Sequence, residues 1–510
     1  MTHQTVKPIK LTAKQIRQIE RATDFEFAKK LLKEFPAANI YVVGGTARDA
    51  IMGRTDTKDY DIVITGMPAK KLAAHLGKYG IVNLVGRNFG VYKFLPTGAD
   101  FKNPIDVSLP RREFALGTGG YRDFDIQSDP NLPIEADLAR RDFTWNAMAY
   151  DIKNKKLIDP WSGIFDLKKQ IIRAVGNPAE RFAEDYSRML RAIRFAVKFG
   201  FEIEKETLGA IKKLLPKIND AREVKGKQER ITPYEIISAE FLKTLAAEPA
   251  ATIKLYEKIG ALKIIFPEII KMKKCAQPKE YHAEGDVLAH TLLALNGLKN
   301  KKILKIIDAE KAGLELIVAT LFHDLGKPIK RKIITEKGEK RVVFYAHDEA
   351  GANAFRQLAD RIKLSASPDM PLKTERVEWL IRNHLITFNN DPYRMRETTL
   401  EKYFFNPKYS GDDLLALSLA DALATFPNGK KADLRNLNRF LKKIKEMKKM
   451  AVGKKILPPP PLNGNAIMKL LKLKPGPKVG EIISLLREEQ LSGRVKNRQE
   501  AEKYIKHLAI

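Results

Sequence analysis

Apolar residues recur along this chain with two different periods. Over residues 9–34, Ile16, Ile19, Phe25, Phe27 and Leu31 fall on or near one face at helical spacing, and the pattern stops before Pro36. That spacing predicts a lead-in helix. From Asn39 the apolar runs shorten to Ile40–Val43, Ile62–Ile64 and Ile105–Leu109, each bounded by Gly, Asp or Pro. Such runs read as strands interleaved with helices, and the pattern ends near Pro160. Beyond about residue 168 the period is helical again, first in Met189, Leu190, Ile193, Phe195 and Val197, then in Ile236, Ile237, Phe241 and Leu242, and it stays so to the end. The expected fold class is α+β, a small α/β head on a long all-α body, with no internal repeat.

Charge changes this picture more than composition does. Apolar residues make up 44% and charged ones 30% of 510 residues, an ordinary globular balance that excludes a mainly disordered or fibrous chain. The length implies two to four domains. Lys and Arg number 92 against 62 Asp and Glu, a net charge of +30 that suits a polyanionic partner, nucleic acid first. A membrane is set aside, because no apolar run approaches the ~18 residues of a spanning helix and no lipidation motif is present. The single Cys275 excludes an intramolecular disulfide and cysteine-based zinc sites. The start MTHQTVKPIKLTAKQ lacks the apolar core of a signal peptide, so a reducing compartment, the cytoplasm, is expected. Residues 431–510 hold 20 Lys/Arg and 7 Asp/Glu around the extended spacer Pro458–Pro461. This tail is either an accessory RNA surface or a solvated helix face.

In the head, Asn39–Val43 followed by Gly44-Gly45-Thr46-Ala47-Arg48-Asp49 reads as a buried strand, a tight glycine turn and a helix start, which lets backbone N–H groups approach a phosphate. Asp59 and Asp61 lead into Ile62-Val63-Ile64, so on a strand the two carboxylates share one face about 7 Å apart while Tyr60 takes the other. Two such carboxylates can hold hard cations such as Mg²⁺, and Asp106, in Ile105–Ser108, is placed to join them. The plain alternative for D-x-D is an Asx turn or a surface pair. In Glu184–Phe195 the residues Asp185, Arg188 and Arg191 recur every three positions of an expected helix, where a salt-bridged surface is the alternative. Five of the eight histidines, His282, His290, His323, His347 and His384, crowd into residues 282–384, which suggests a metal site.

Together these segments, with Gly53 and Arg140-Arg141-Asp142-Phe143-Thr144-Trp145-Asn146-Ala147-Met148-Ala149, resemble the head motifs of the class II, bacterial-type CCA-adding tRNA nucleotidyltransferases and their poly(A) polymerase relatives. The resemblance spans about residues 40–510 and is strongest in the head. It implies a nucleotidyltransferase head with a mixed, polymerase-beta-like palm, and a Mg²⁺-dependent enzyme that adds CCA to tRNA from CTP and ATP. It assigns Asp59 and Asp61 to catalysis and Mg²⁺, and Asp106, from its place on a neighbouring strand, joins them as a catalytic candidate. Gly45 and Arg48 would meet the triphosphate, and Arg141, Asp142 and Asn146 the phosphate and ribose. Asp185 and Arg188 would read the base, and Arg191 and Arg194 would help with phosphates. Trp145 departs from the usual aliphatic residue and is expected to face away from Asn146 and repack the core. Gln228–Glu235 resembles the family's Glu-Arg helix, given a supporting role only. His290, His323-Asp324, His347, His384 and Asp421 follow the order of HD-domain phosphohydrolases, whose imidazole and carboxylate ligands suit Ni²⁺, Mn²⁺ or Zn²⁺. That site either hydrolyses terminal phosphoesters or persists as a remnant.

The domains are then 1–36, an N-terminal helix; 37–165, the head; 166–275, a helical neck and nucleobase- and RNA-binding body; 276–430, the HD domain; and 431–510, the basic RNA-binding tail. The segment Arg111 through Asp123 reads as a full-length flexible loop, which argues against CC-only addition. The alternatives are an A-adding enzyme or poly(A) polymerase, an HD phosphohydrolase whose head only binds RNA, and a non-catalytic basic RNA-binding protein. Oligomeric state is left open.

Overall fold

The apolar runs expected as strands are strands, and four more join them in one sheet. In the computed structural model, which describes residues 11–21, 26–54, 60–85, 91–98, 103–120, 123–224, 226–336, 338–450 and 457–508, the chain divides into two units. One is Met1–Ala247 with Leu255–Ile264, the other Glu248–Lys254 with Ile265–Ile510.

The first unit opens with α1 (Ala13–Glu20) and α2 (Glu26–Glu34), both within the stretch expected as a lead-in helix; residues 22–25 lie outside the described residues. Then follow β1 (Asn39–Val43), α3 (Gly44–Ile51), β2 (Asp61–Thr65), α4 (Ala69–Gly77), β3 (Gly80–Val85), β4 (Val91–Pro96), β5 (Ile105–Ser108), β6 (Arg111–Ala115), β7 (Phe124–Ser128), α5 (Ile134–Ala139), β8 (Ala149–Asp151) and β9 (Lys156–Ile158). The main sheet has the order β3-β4-β5-β2-β1-β8-β9. Only β2 and β5 pair in parallel; their neighbours are antiparallel. Alternation along β2 decides its chemistry. Tyr60, Ile62 and Ile64 turn into a core with Phe27 and Leu31 of α2 and Leu72 and Leu76 of α4. Phe27 and Phe94 meet there edge to face at 4.9 Å, and burying each ring contributes about 1.5–3 kcal/mol. Val63 packs on the other face with Val43, Ile134 and Leu138.

Of the segment 111–123, expected as a loop, Arg111–Ala115 is the strand β6 paired with β7, while residues 116–120 belong to no strand or helix; Tyr121 and Arg122 lie outside the described residues. Beyond the sheet come α6 (Gly163–Lys169), β10 (Ile171–Ile172), α7 (Pro178–Glu184), α8 (Ser187–Phe199), β11 (Glu202–Ile203), α9 (Lys205–Leu214), β12 (Ala221–Val224), β13 (Lys227–Arg230) and α10 (Tyr234–Ala247). Arg194 of α8 and Glu240 of α10 form an ion pair at 2.6 Å.

At and after the division lie α11 (Pro249–Ile259), α12 (Ala261–Ile265), α13 (Pro267–Lys273), α14 (Val287–Gly297), α15 (Lys301–Ile307), α16 (Leu314–Phe322), α17 (Lys327–Lys330), β14 (Lys332–Glu336), β15 (Glu339–Val343), α18 (His347–Arg361), α19 (Thr374–Asn383), α20 (Ile386–Asn389), α21 (Glu397–Phe404), α22 (Gly411–Ala424), α23 (Arg435–Lys448), α24 (Gly464–Leu471), α25 (Pro477–Leu491) and α26 (Arg498–Leu508). The last three helices bury their own cluster of Leu462, Ile467, Val479, Ile482, Leu486 and Ile505. Glu488 of α25 accepts from the backbone N–H groups of Glu397 and Thr398 at 2.7 and 3.0 Å, which moors this cluster to α21.

Three short strand pairs, β10–β11, β12–β13 and β14–β15, punctuate the otherwise helical body. β12–β13 and β14–β15 are antiparallel pairs, and Gly226 and Gly338, each just before the second strand of its pair, have φ of +75° and +80°. A glycine that enters the left-handed region favours a tight hairpin over a continuing helix. Gln228–Arg230, read as part of a helix, is therefore strand, and the helix starts at Tyr234.

Candidate functional site

Between the sheet and α8 lies a cavity of about 890 Å³. Among the described residues that line it, nine are Arg or Lys and six are carboxylates, an excess suited to a nucleoside triphosphate. Asp61 opens β2 at its edge, and the parallel register sets it opposite Asp106 of β5. Asp106 in turn pairs across β4 with Lys93, whose ammonium lies 2.5 Å from Oδ1. Asp59 lies outside the described residues. Two carboxylates in register form an all-oxygen donor set that suits a hard divalent cation.

The strand-turn-helix expected at the glycines is present, and it is close-fitting. Gly44 has φ +64°, and a Cβ there would stand 2.7 Å from Arg141 Nη1 and 3.1 Å from Asp61 Oδ2. Glycine thus lets both side chains reach the turn. Arg141 also donates to Asp137 at 3.2 Å, while Gly45 faces the Arg48 guanidinium.

Arg48 is buried and joined to the neck by a continuous hydrogen-bond chain. Its Nη1 donates to Asn146 Oδ1 at 2.9 Å, Asn146 Nδ2 donates to Asp142 Oδ1 at 2.9 Å, and Arg191 of α8 donates to Asp142 Oδ2 through Nε and Nη2 at 2.9 and 2.6 Å. Burial alone would raise the Asp142 carboxyl, but the Arg191 charge and the hydrogen bonds from Asn146 and Arg191 hold it at about 2. The Arg48 guanidinium also lies over three rings, Trp145 at 5.3 Å, Phe195 at 5.6 Å and Phe199 at 5.1 Å. Trp145 is fully buried as expected, and it adds a wall to the arginine that the sequence did not disclose.

Asp185 corrects the reading of Glu184–Phe195 as one helix. It has extended backbone, φ −154° and ψ 104°, at the end of α7, and its carboxylate accepts from the Ser187 N–H at 2.8 Å, capping α8. Burial raises its carboxyl above the ordinary range, against the Ser187 hydrogen bond and the Arg188 charge. Arg188 Nη1 donates to Glu184 at 2.6 Å and to the Arg181 carbonyl at 3.2 Å, and Nη2 to the Arg140 carbonyl at 3.2 Å. Arg191 and Arg194 line the same cavity.

Sequence reasoning missed Arg54, Arg111 and Lys198, which also line the cavity. The signal for Lys198 was its spacing, since residues 191, 194 and 198 share one face of α8. Burial and the Arg48 charge, with Arg194 and Arg54, lower its ammonium, while Asp49 opposes them.

A second site lies in the other unit. His290 of α14, His323 and Asp324 after α16, His347 at the start of α18, His384 after α19 and Asp421 of α22 converge; the ligand atoms of His290, His323 and Asp421 lie within 4.8 Å of one another, as do those of Asp324, His347 and His384. The rings of His323, His347 and His384 are oriented by Nδ1 donation to the carbonyls of Thr320, Phe344 and Ile381 at 2.8, 2.9 and 2.7 Å. Their Nε2 atoms are buried without a hydrogen-bond partner, although two stand 3.3 Å from Asp324 oxygens. Inward lone pairs held by outer carbonyls are the arrangement a metal requires. His290 Nε2 meets Asp421 Oδ1 at 3.0 Å, and its Nδ1 meets Glu284 Oε1 at 2.8 Å. Burial would lower the His290 imidazole, but Asp421 and Glu284 raise it to about 9, whereas burial with the His323 and His347 charges lowers His384 to about 4. Asp324 is held well below its usual value against burial by Lys327, whose Nζ is 2.7 Å away. Gly326 permits the convergence, since a Cβ there would overlap the His347 carbonyl oxygen at 1.9 Å. Glu284 and Lys327 went unread in the sequence. These donors fit a divalent transition metal.

Two family models match this chain. The family model for the poly A polymerase head domain matches residues 40–173, and that for the HD domain matches residues 288–425. The chain is 33% identical over 330 residues to the multifunctional CCA protein of Xylella fastidiosa (strain M12), covering 64% of this chain and 70% of that one. To the A-adding tRNA nucleotidyltransferase of Deinococcus radiodurans it is 30% identical over 474 residues, covering 92% and 95%. The crystal structure of the Bacillus stearothermophilus CCA-adding enzyme in complex with CTP shares its fold, with a TM-score of 0.61 at 19% identity over 98% of each chain. With the head and HD motifs both in place and the similarity running nearly end to end, the chain belongs to the family of tRNA nucleotidyltransferases and poly(A) polymerases that carry an HD domain.

Proposed function

We propose that this chain is a tRNA nucleotidyltransferase that completes the CCA end of tRNA from CTP and ATP. The observation that carries this reading is the hydrogen-bonded chain Arg191–Asp142–Asn146–Arg48, which runs along the cavity beside the Asp61–Asp106 pair. Asp59 and Asp61, with Asp106 beside them, would hold Mg²⁺, which would activate a 3′-hydroxyl and steady departing pyrophosphate. Arg48, Arg141 and the helix-borne Arg191 and Arg194 hold the triphosphate, with Gly45 giving its backbone room. Asp142 and Asn146 meet the ribose. Asp185 accepts from the base's exocyclic amino group and Arg188 donates to its ring edge, so C and A fit and G and U are refused. The RNA 3′-oxygen attacks the α-phosphorus, the bond to the β-phosphate oxygen breaks, and pyrophosphate leaves.

In the second unit His290, His323, Asp324, His347, His384 and Asp421 would hold Ni²⁺, Mn²⁺ or Zn²⁺, and a bound metal there supplies an activated water. We read this site as a phosphohydrolase for terminal 2′,3′-cyclic or 3′-phosphates. The finer division at residues 36, 165, 275 and 430, with the basic tail as an accessory RNA surface, completes the reading. No described helix is long and apolar enough to cross a membrane.

The test is to incubate the protein with Mg²⁺, CTP and ATP and three tRNAs, ending before the first C, after it, and after the second C, and to sequence the 3′ ends. CCA on all three supports the proposal. The A-adding relative, which matches over 92% of this chain, favours a second reading, in which only the third tRNA is extended, by a single A.

A further inference from the structure

Between Asp324 and His347 the chain leaves the helices and returns, and the excursion is β14–β15. Both faces of β14 are open to solvent at Lys332, Ile333, Thr335 and Glu336, with Ile333 58% exposed. Tyr345, two residues before His347, is 71% exposed, and Tyr281, one residue before His282, is 52% exposed. Arg341 Nη2 donates to the Tyr281 hydroxyl at 2.8 Å, which joins hairpin and loop into one rim.

The rim is rooted in the histidine cluster at both ends. His347 Nδ1 meets the Phe344 carbonyl at 2.9 Å, and Lys327, beside Asp324, lies 5.8 Å from the Phe344 ring. On the other side His282 and His290 share Glu284 Oε1, at 2.7 and 2.8 Å. Residues 327–345 carry seven Lys and Arg against two Glu. Exposed rings interleaved with cations bind single-stranded nucleic acid, because bases stack on the rings while phosphates meet the cations. A protein-docking edge of similar size has no need of so large a cationic excess.

We propose that this rim, formed by Tyr281, Arg341 and Tyr345, receives the single-stranded 3′ end of an RNA and delivers its terminal phosphoester to the histidine–aspartate cluster. The proposal rests on the phosphohydrolase reading of that cluster.

The experiment uses the full chain with Mn²⁺ and two substrates, bis(p-nitrophenyl) phosphate and a single-stranded RNA roughly eight nucleotides long ending in a 2′,3′-cyclic phosphate. Tyr281→Ala, Tyr345→Ala and Arg341→Ala are each expected to lower kcat/KM on the RNA by about tenfold with no comparable loss on the small diester. Equal losses on both substrates, or none on the RNA, overturn the rim. A 4-thiouridine at the penultimate position of the same RNA should photo-crosslink to peptides holding residues 327–345 or Tyr281. Crosslinks confined to other segments overturn the rim and leave it a site for a protein or a membrane. If the wild type hydrolyses neither substrate, the phosphohydrolase reading fails, and the crosslinking result still decides the rim.

Discussion

Asp61 stands directly opposite Asp106 across the one parallel pair that the main sheet has among the described residues, and Lys93 stands opposite Asp106 on its other side. The pair is therefore made by strand register, so neither carboxylate can be moved without shifting β2 against β5. Asp61→Ala and Asp106→Ala are each expected to raise the Mg²⁺ concentration needed for nucleotide addition by about tenfold to 100-fold. Phosphohydrolase activity should be unchanged. A metal titration of both activities checks this, and parallel losses would contradict it.

Trp145 links stability to nucleotide binding. Truncating a fully buried Trp to Ala costs about 3–5 kcal/mol, read by urea denaturation. Trp145→Phe keeps a ring beside Arg48 and should restore most of that stability. Because the Arg48 guanidinium is walled by this ring and by Phe199, Trp145→Leu should raise KM for ATP and CTP with little change in kcat. A fall in kcat alone would show that the ring does not act through Arg48.

On the proposed reading, two carboxylates of the nucleotide site, Asp185 and Asp142, titrate on opposite sides of the ordinary value. Burial raises Asp185 above the ordinary value of 3.8, while Asp142 is held at about 2 by Arg191 and Asn146. As pH falls, Asp185 is protonated first and stops accepting from the base, so discrimination between CTP and UTP should fail while triphosphate binding persists. Competition assays over decreasing pH check the order. For stability, the depressed Asp142 value means its contribution, about 2 kcal/mol, is present above pH 3.8 and is lost as pH falls towards 2.

Gly326→Ala should disable the second site alone. A Cβ there overlaps the His347 carbonyl oxygen, so α18 must withdraw and take His347 with it. Bound metal, measured by mass spectrometry of the purified chain, should drop below one equivalent while nucleotide addition continues. Full metal occupancy would show that the helix start is more compliant than its packing implies.

Much of the head was legible because its strands are short apolar runs bounded by Gly and Pro, and because Tyr60 and Asp61 must face opposite ways on any strand. The helix through Asp185 was misread because an aspartate can cap as readily as it can continue a helix, and the spacing of the charges is the same either way. The hairpins hid in runs of Lys and Glu whose apolar alternation is weak, with only Lys-Gly to mark the turns. The walls of Arg48 were out of reach of pattern reading, since Trp145 and Phe199 lie far from Arg48 in sequence and from each other. The six residues of the candidate metal site come from five separate segments; histidine crowding flagged four of them, and only family resemblance added Asp324 and Asp421 before the structure did.

Arg188 enters the reaction with its fork already engaged by Glu184 and by the carbonyls of Arg181 and Arg140. On the proposed reading, the letters appended to an RNA are thus stored in the posture of two side chains, Asp185 and Arg188, and in no nucleic acid. A miscopied template spoils one transcript. A substitution that unseats Arg188 would alter the end of every tRNA in the cell at once, so the inheritance of that text runs through the gene for this chain.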